Sequence, residues 1–249
     1  MDTITASLAT IPSRVVPLEE MFYSIIEQVD CLQVYLNGFE DKQIPQFLLK
    51  NNKVKLYRSQ EEEFGDRGDA GKFFNVQNIH GWHFVTDDDI HFPKDYVVSM
   101  INKCEQYDRK YIIGCHGGDW SKFPVNDAYK DRKNMSHYKK TEVLEDYFVH
   151  FLATNTMCFH DNTIQMEDVY FELPNMGDIF AAKLAQEKHV GMICREKKEG
   201  WIQDASGYQF MDSIYGYRYK PLLEHSDKTN ASYQTDIVNI LGGAWKYYV

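Results

Sequence analysis

The 249-residue chain has no CxxC pair, no low-complexity tract, no excess of positive charge, and no apolar run approaching the ~18 residues of a membrane span. Each absence removes a class of protein. The five cysteines, Cys31, Cys104, Cys115, Cys158 and Cys194, are odd in number and widely spaced, which argues against a disulfide framework or zinc site. Buried, reduced thiols are the expectation. A formal net charge of -10 excludes the broad positive footprint of a general nucleic-acid binder. An anionic ligand would need a divalent cation or a few aimed Lys and Arg side chains. The stretch MDTITASLATIP lacks the basic and long apolar segments of a secretory signal, so the expectation is a soluble cytoplasmic protein.

What is present is a folding composition: 43% hydrophobic and 14% aromatic residues, with 17 Tyr. The length allows one large α/β domain or two small ones, and a single domain is expected. Strand and helix patterns alternate. TITASLATI (Thr3 to Ile11) reads as a strand, and PLEEMFYSIIEQV as an amphipathic helix with Leu18, Met21, Phe22, Ile25, Ile26 and Val29 on one face. CLQVYLNGF, VKLYRS and WHFVTDDD follow as strands, IPQFLLKNN as a short helix and AGKFFNVQNI as a helix. FPKDYVVSMINKCEQY and MGDIFAAKLAQEKHV are further helices. KYIIGCHGG, YFVHFLATNTMCF and VGMICR have strand character, and a last helix begins near Asn230 or Ser232. The apolar pattern lapses from Trp120 to Asp146, where YKDRKNMSHYKK holds five Lys or Arg against one Asp. A loop of that length is either functional or a solvated excursion.

Strand-helix repeats predict right-handed βαβ units, a mainly parallel sheet flanked by helices, and ligand binding at the carboxyl ends of its strands. Four loops converge there: TIPSR, NGFED, EFGDRGDAGK and TDDDIHFP. The last carries Asp87, Asp88 and Asp89. Unit charges about 4 Å apart repel by ~4 kcal/mol at an effective dielectric of 20, so something must offset them. Hard carboxylate oxygens suit Mg2+ or Mn2+. On an extended chain Asp87 and Asp89 face one side and Asp88 the other, so the outer pair would grip the ion. An Asp-rich turn capping the helix after Pro93 is the plainer alternative.

The succession SLATIPSR, YLNG, GDAGKF, TDDDIHFP and NMGDIFAAKLAQ, over Thr3 to Arg195, resembles family 2-like glycosyltransferases of the GT-A fold, especially the bacterial capsule or surface-polysaccharide type. The resemblance implies an inverting enzyme that moves a sugar from a nucleotide sugar, UDP-linked by expectation, to a saccharide or lipid-linked saccharide. Residues 1–115 would form the nucleotide-sugar half, and 116–249 the acceptor half with a C-terminal extension. Thr10, Pro12 and Arg14 would border the base, with Asn37 near the uracil or ribose. Asp69 and Lys72 would line the nucleotide pocket, and Asp87 and Asp88 would lie near ribose and metal. Asp89 would be the principal metal ligand, Asp87 and His225 would complete the shell, and Asp178 would be the catalytic base. Asp178 is equally placed to stabilise a helix start, Lys72 to be a solvated helix residue, and His225 to be structural. CHGG allows a close backbone approach to the donor sugar or a plain turn. The basic stretch suits an anionic acceptor or peripheral contact with the inner face of the plasma membrane. A nucleotidyltransferase and a catalytically silent saccharide-binding module are the rivals, although the first loop lacks the glycines expected of the former.

Overall fold

The central runs Ile4–Thr10, Cys31–Leu36, Trp82–Thr86 and Thr156–His160 pair because each is buried on both faces, which only a covered sheet permits. The protein is described here from a computed structural model covering residues 2–61, 65–171, 173–207, 218–221 and 227–249. In chain order come β1 (Ile4–Thr10), α1 (Val15–Ile25), β2 (Cys31–Leu36), α2 (Gln46–Leu49), β3 (Val54–Arg58), β4 (Trp82–Thr86), β5 (Ile90–His91), α3 (Tyr96–Gln106) and β6 (Ile112–Gly114). Then follow β7 (Gly117–Trp120), β8 (Arg132–Ser136), β9 (Tyr147–Val149), β10 (Phe151–Leu152), β11 (Thr156–His160), α4 (Gly177–Lys188), β12 (Met192–Cys194), β13 (Gln203–Asp204) and α5 (Asn230–Leu241).

An eight-stranded sheet has the order β3-β2-β1-β4-β11-β6-β12-β9. Its first four strands are parallel, as are β6 and β12, while β11 runs antiparallel between β4 and β6, and β9 antiparallel to β12. The sheet is therefore mixed, with a parallel block compatible with a Rossmann-like α/β fold. From β1 the chain steps outward to β2 and β3, then returns to place β4 on β1's other side. That reversal makes β1 and β4 the switch point, above whose carboxyl ends such sheets form a crevice.

Helices cover both faces. Leu18, Met21 and Phe22 of α1 pack with Val97 and Met100 of α3 in one core. Ile179 and Leu184 of α4 pack with Ile237 and Val238 of α5 in the other. Thr229 caps α5, its Oγ1 accepting from the Ser232 N–H at 3.2 Å. All five cysteines are free thiols, and only Cys31 is not fully buried. No helix among the described residues is long and apolar enough to cross a membrane.

Several elements differ from the sequence expectation. AGKFFNVQNI is not an α-helix: 3-10 turns at Gly68–Phe73 and Val76–Asn78 are separated by Asn75 in the left-handed region, at φ 59°. KYIIGCHGG breaks at Cys115 and His116 into β6 of the main sheet and β7 of a three-stranded sheet, β10-β7-β8. YFVHFLATNTMCF supplies three strands, because a turn at Thr154 and Asn155 reverses it. The basic stretch contains β8. The two halves expected to meet at residue 115 are interleaved, with β11 lying between β4 and β6.

Candidate functional site

At the switch point the end of β1 and the turn after β4 are joined directly. Thr10 Oγ1 donates to Asp88 Oδ2 at 2.6 Å. Pro12 opens the 3-10 turn Pro12–Arg14, its fixed φ suiting a first helical position. That turn aims Arg14 at the aspartates: Nε donates to Asp88 Oδ1 at 2.8 Å, and a terminal nitrogen pairs with both Asp88 and Asp89. Asp88 and Asp89 lie in a turn rather than on an extended chain. The alternation expected of Asp87 and Asp89 is thereby corrected: Asp88 and Asp89 share a guanidinium, and Asp87 turns to Lys72.

Lys72 lies buried beneath this turn. Its Nζ pairs with Asp87 Oδ1 and reaches Thr154 Oγ1 at 3.4 Å. Thr154 in turn donates to Asp178 Oδ1 through its backbone N–H at 2.8 Å and its hydroxyl at 2.7 Å. Both donors hold one oxygen of Asp178, in the first turn of α4, and Oδ2 receives no hydrogen bond from the described residues. Asp69 completes the cluster, with the Gly177 N–H aimed at its Oδ1 at 3.5 Å. Gly177 permits this approach, since a Cβ there would sit 3.2 Å from Asp69 Oδ2.

Electrostatics follow from burial. Burial pushes the Asp69 carboxyl up to about 7; Lys72 pulls against the rise, and Asp178 and Asp87 reinforce it. Asp89 also rises to about 7, first through burial and then through Asp87 and Asp88, with Arg14 opposing. Asp88 shifts upward for the same first reason, against Arg14 and Thr10. Burial alone would discharge Arg14 and Lys72, but the surrounding carboxylates reverse this and hold both above their usual range. The site is a dense carboxylate cluster bridged by two fixed cations.

Asn37 is buried, its amide donating to the Gly68 carbonyl at 2.9 Å and accepting from the Arg67 N–H at 3.2 Å. An amide supplies both a donor and an acceptor, which an acidic side chain would not. Asn37 therefore shapes the turn carrying Asp69 and Lys72. His225 lies outside the described residues. Among those described, no group of three His, Cys, Asp or Glu side chains is arranged to hold a metal ion. The donor chemistry nevertheless fits Mg2+ or Mn2+, which take one or two protein carboxylates and complete their shells with waters and phosphate oxygens.

Sequence reasoning missed Thr154, which joins Lys72 to Asp178, because a lone Thr in a strand-like run carries no signal. It also missed Arg67, whose buried guanidinium donates to the carbonyls of Asp168 and Phe171 at 2.8 and 2.9 Å. The basic stretch is less available to polyanions than its composition implies. Lys139 pairs with Asp204, Lys130 with Asp127 at 3.6 Å, and Arg132 lies over the Tyr129 and Phe151 rings. Exposed Lys133 and Lys140 remain.

No family model matches the chain, and no curated protein matches it.

Proposed function

We propose that the chain is an inverting, divalent-metal-dependent glycosyltransferase of the GT-A type, transferring a sugar from a nucleotide sugar, UDP-linked in preference, to a saccharide acceptor in surface-glycan synthesis. The observation that carries this reading is the line Asp87–Lys72–Thr154–Asp178 beside the Arg14-bridged Asp88 and Asp89, at the carboxyl ends of β1 and β4. It sets a cation-holding carboxylate, Asp87, and a candidate base, Asp178, on opposite ends of one hydrogen-bonded chain.

A bound Mg2+ or Mn2+ would neutralise the diphosphate as a Lewis acid, held by Asp89 with Asp87 or Asp88. Lys72 and Arg14 add fixed positive charge toward the same phosphates. Asp178 takes the acceptor's hydroxyl proton on Oδ2 while Thr154 anchors Oδ1. The acceptor oxygen bonds the anomeric carbon as the bond from that carbon to the phosphate oxygen breaks, and the nucleoside diphosphate leaves with the electron pair.

The test is a melting-temperature screen with UDP, GDP and CDP, each with Mn2+ or with EDTA. Metal-dependent stabilisation by one nucleotide is expected, and no response to any of them refutes the reading. Asp89→Ala should abolish the response. Asp178→Asn should retain it and lose transfer by about 100- to 10,000-fold, the usual scale for a general base. An Asp178→Asn enzyme as fast as the parent removes Asp178 from that role.

A further inference from the structure

We propose that His116 is a specificity-determining hydrogen-bond donor, its Nε2–H reading an oxygen of the saccharide at the transfer point; this rests on the glycosyltransferase reading above.

His116 lies where the chain leaves β6 for β7, and its carbonyl accepts from the Ala153 N–H at 2.8 Å. A relay of hydrogen bonds fixes its tautomer. The Cys115 N–H donates to Thr156 Oγ1 at 3.1 Å, which directs that hydroxyl's proton to Asn155 Oδ1 at 3.3 Å. With Oδ1 acting as acceptor, the Asn155 amide presents Nδ2 to His116 Nδ1 at 3.0 Å. Nδ1 is therefore the unprotonated nitrogen, and the ring proton sits on Nε2.

The ring is also held neutral. Burial depresses its pKa to about 3, and His137, Arg132 and Lys197 push in the same direction, against the opposing pull of the Asn155 bond. A group that stays neutral across the working range donates a hydrogen bond without exchanging a proton. The donors around it are engaged elsewhere. Tyr138 Oη donates to Asp204 at 2.6 Å, Lys197 Nζ to the His137 carbonyl at 3.1 Å, and Arg132 Nε to the Ala128 carbonyl at 2.9 Å. His116 Nε2 receives no partner among the described residues.

Its placement points to the transfer centre. The turn that holds His116 through Asn155 holds Asp178 through the adjacent Thr154. On the other side, the Tyr138 ring lies 5.8 Å from the imidazole and feels the charges of Asp89 and Asp87. The imidazole thus stands at the carboxyl end of β6, across the first residues of β11 from the carboxylate turn that follows β4.

The test measures UDP release from UDP-glucose, UDP-galactose and UDP-N-acetylglucosamine, each with and without a methyl glycoside, by the parent, His116→Phe, His116→Gln and His116→Asn. Gln places an amide N–H near the position of Nε2, whereas Asn stops short of it. His116→Phe and His116→Asn should lose at least ~10-fold in kcat/KM while remaining folded and keeping the UDP-induced stabilisation. His116→Gln should recover most of the loss and keep the parent's pH profile. A raised KM for the UDP-sugar assigns the oxygen to the donor, and a raised KM for the methyl glycoside assigns it to the acceptor. Parent-like kinetics in His116→Phe overturn the proposal, as does a folded His116→Gln no better than His116→Asn. A parent that neither binds UDP nor releases it fails earlier, at the glycosyltransferase reading itself, and the assignment falls with it.

Discussion

Lys72 shows how one side chain serves fold and site together. It is 3% exposed, and its ammonium is tolerable there only because Asp87 and the Thr154 hydroxyl meet it. Lys72→Met should destabilise the protein at the lower end of about 3–5 kcal/mol, because Asp87, 37% exposed, can partly rehydrate once abandoned. Urea unfolding monitored by tryptophan fluorescence measures it, and a loss below about 1 kcal/mol would show the pair to be structurally idle. Asp69 gives a pH signature. Its native pKa is about 7 against an ordinary 3.8, so between those values the fold keeps a proton that the unfolded chain has released. The native state then binds more protons, and stability falls as pH rises through that window, levelling above it. Asp69→Asn should flatten the slope of melting temperature between pH 4 and 7, and an unchanged slope would contradict the assignment. The residue types here were legible in the sequence, since GDAGKF and TDDD announce charge beside a sheet. Their partners were not: nothing in one dimension couples Lys72 to Asp87, or Arg14 to Asp88 and Asp89.

At the scale of elements, periodicity was informative wherever a helix or strand was long enough to repeat. α1, α3, α4, α5 and the first four strands fall where the apolar spacing puts them. Short pieces escaped. β5, β10 and β13 have two residues each, too few to display a period of two, and the 3-10 turn Gly68–Phe73 imitates a helix in sequence. What separates that turn from a helix is its packing on β2. A Cβ at Gly71 would lie 2.4 Å from Tyr35 Cδ1 and 2.7 Å from Cγ, so the turn can approach the strand only as glycine. Tyr35 is buried and cannot swing aside. Gly71→Ala should cost about 1–3 kcal/mol through overpacking and, on the proposed glycosyltransferase function, weaken nucleotide binding by displacing Lys72, one residue on. Equilibrium unfolding and the UDP melting shift test the two parts separately; parent-like values in both would mean the turn yields freely.

The strand order has a consequence for the whole molecule. With β11 inserted between β4 and β6, neither the first nor the second half of the chain can complete the sheet alone. The site is stitched in the same way, Lys72 from one half reaching Thr154 of the other, which in turn holds Asp178. The C-terminal segment extends the dependence. Trp245 packs its ring 4.5 Å from that of Trp120 and donates from Nε1 to the Val238 carbonyl at 2.9 Å. Asn239 and Thr235 of α5 accept from the backbone of Val125 and Ala128. Damage far from the carboxylates should therefore propagate to them. Trp245→Ala empties a large core position and should cost about 3–5 kcal/mol, roughly 10 °C in Tm for a chain of this size. Calorimetry should show the entire endotherm moving down as one transition. Two separated endotherms, one of them at the parent's temperature, would mean that the interleaved sheet does not couple the halves.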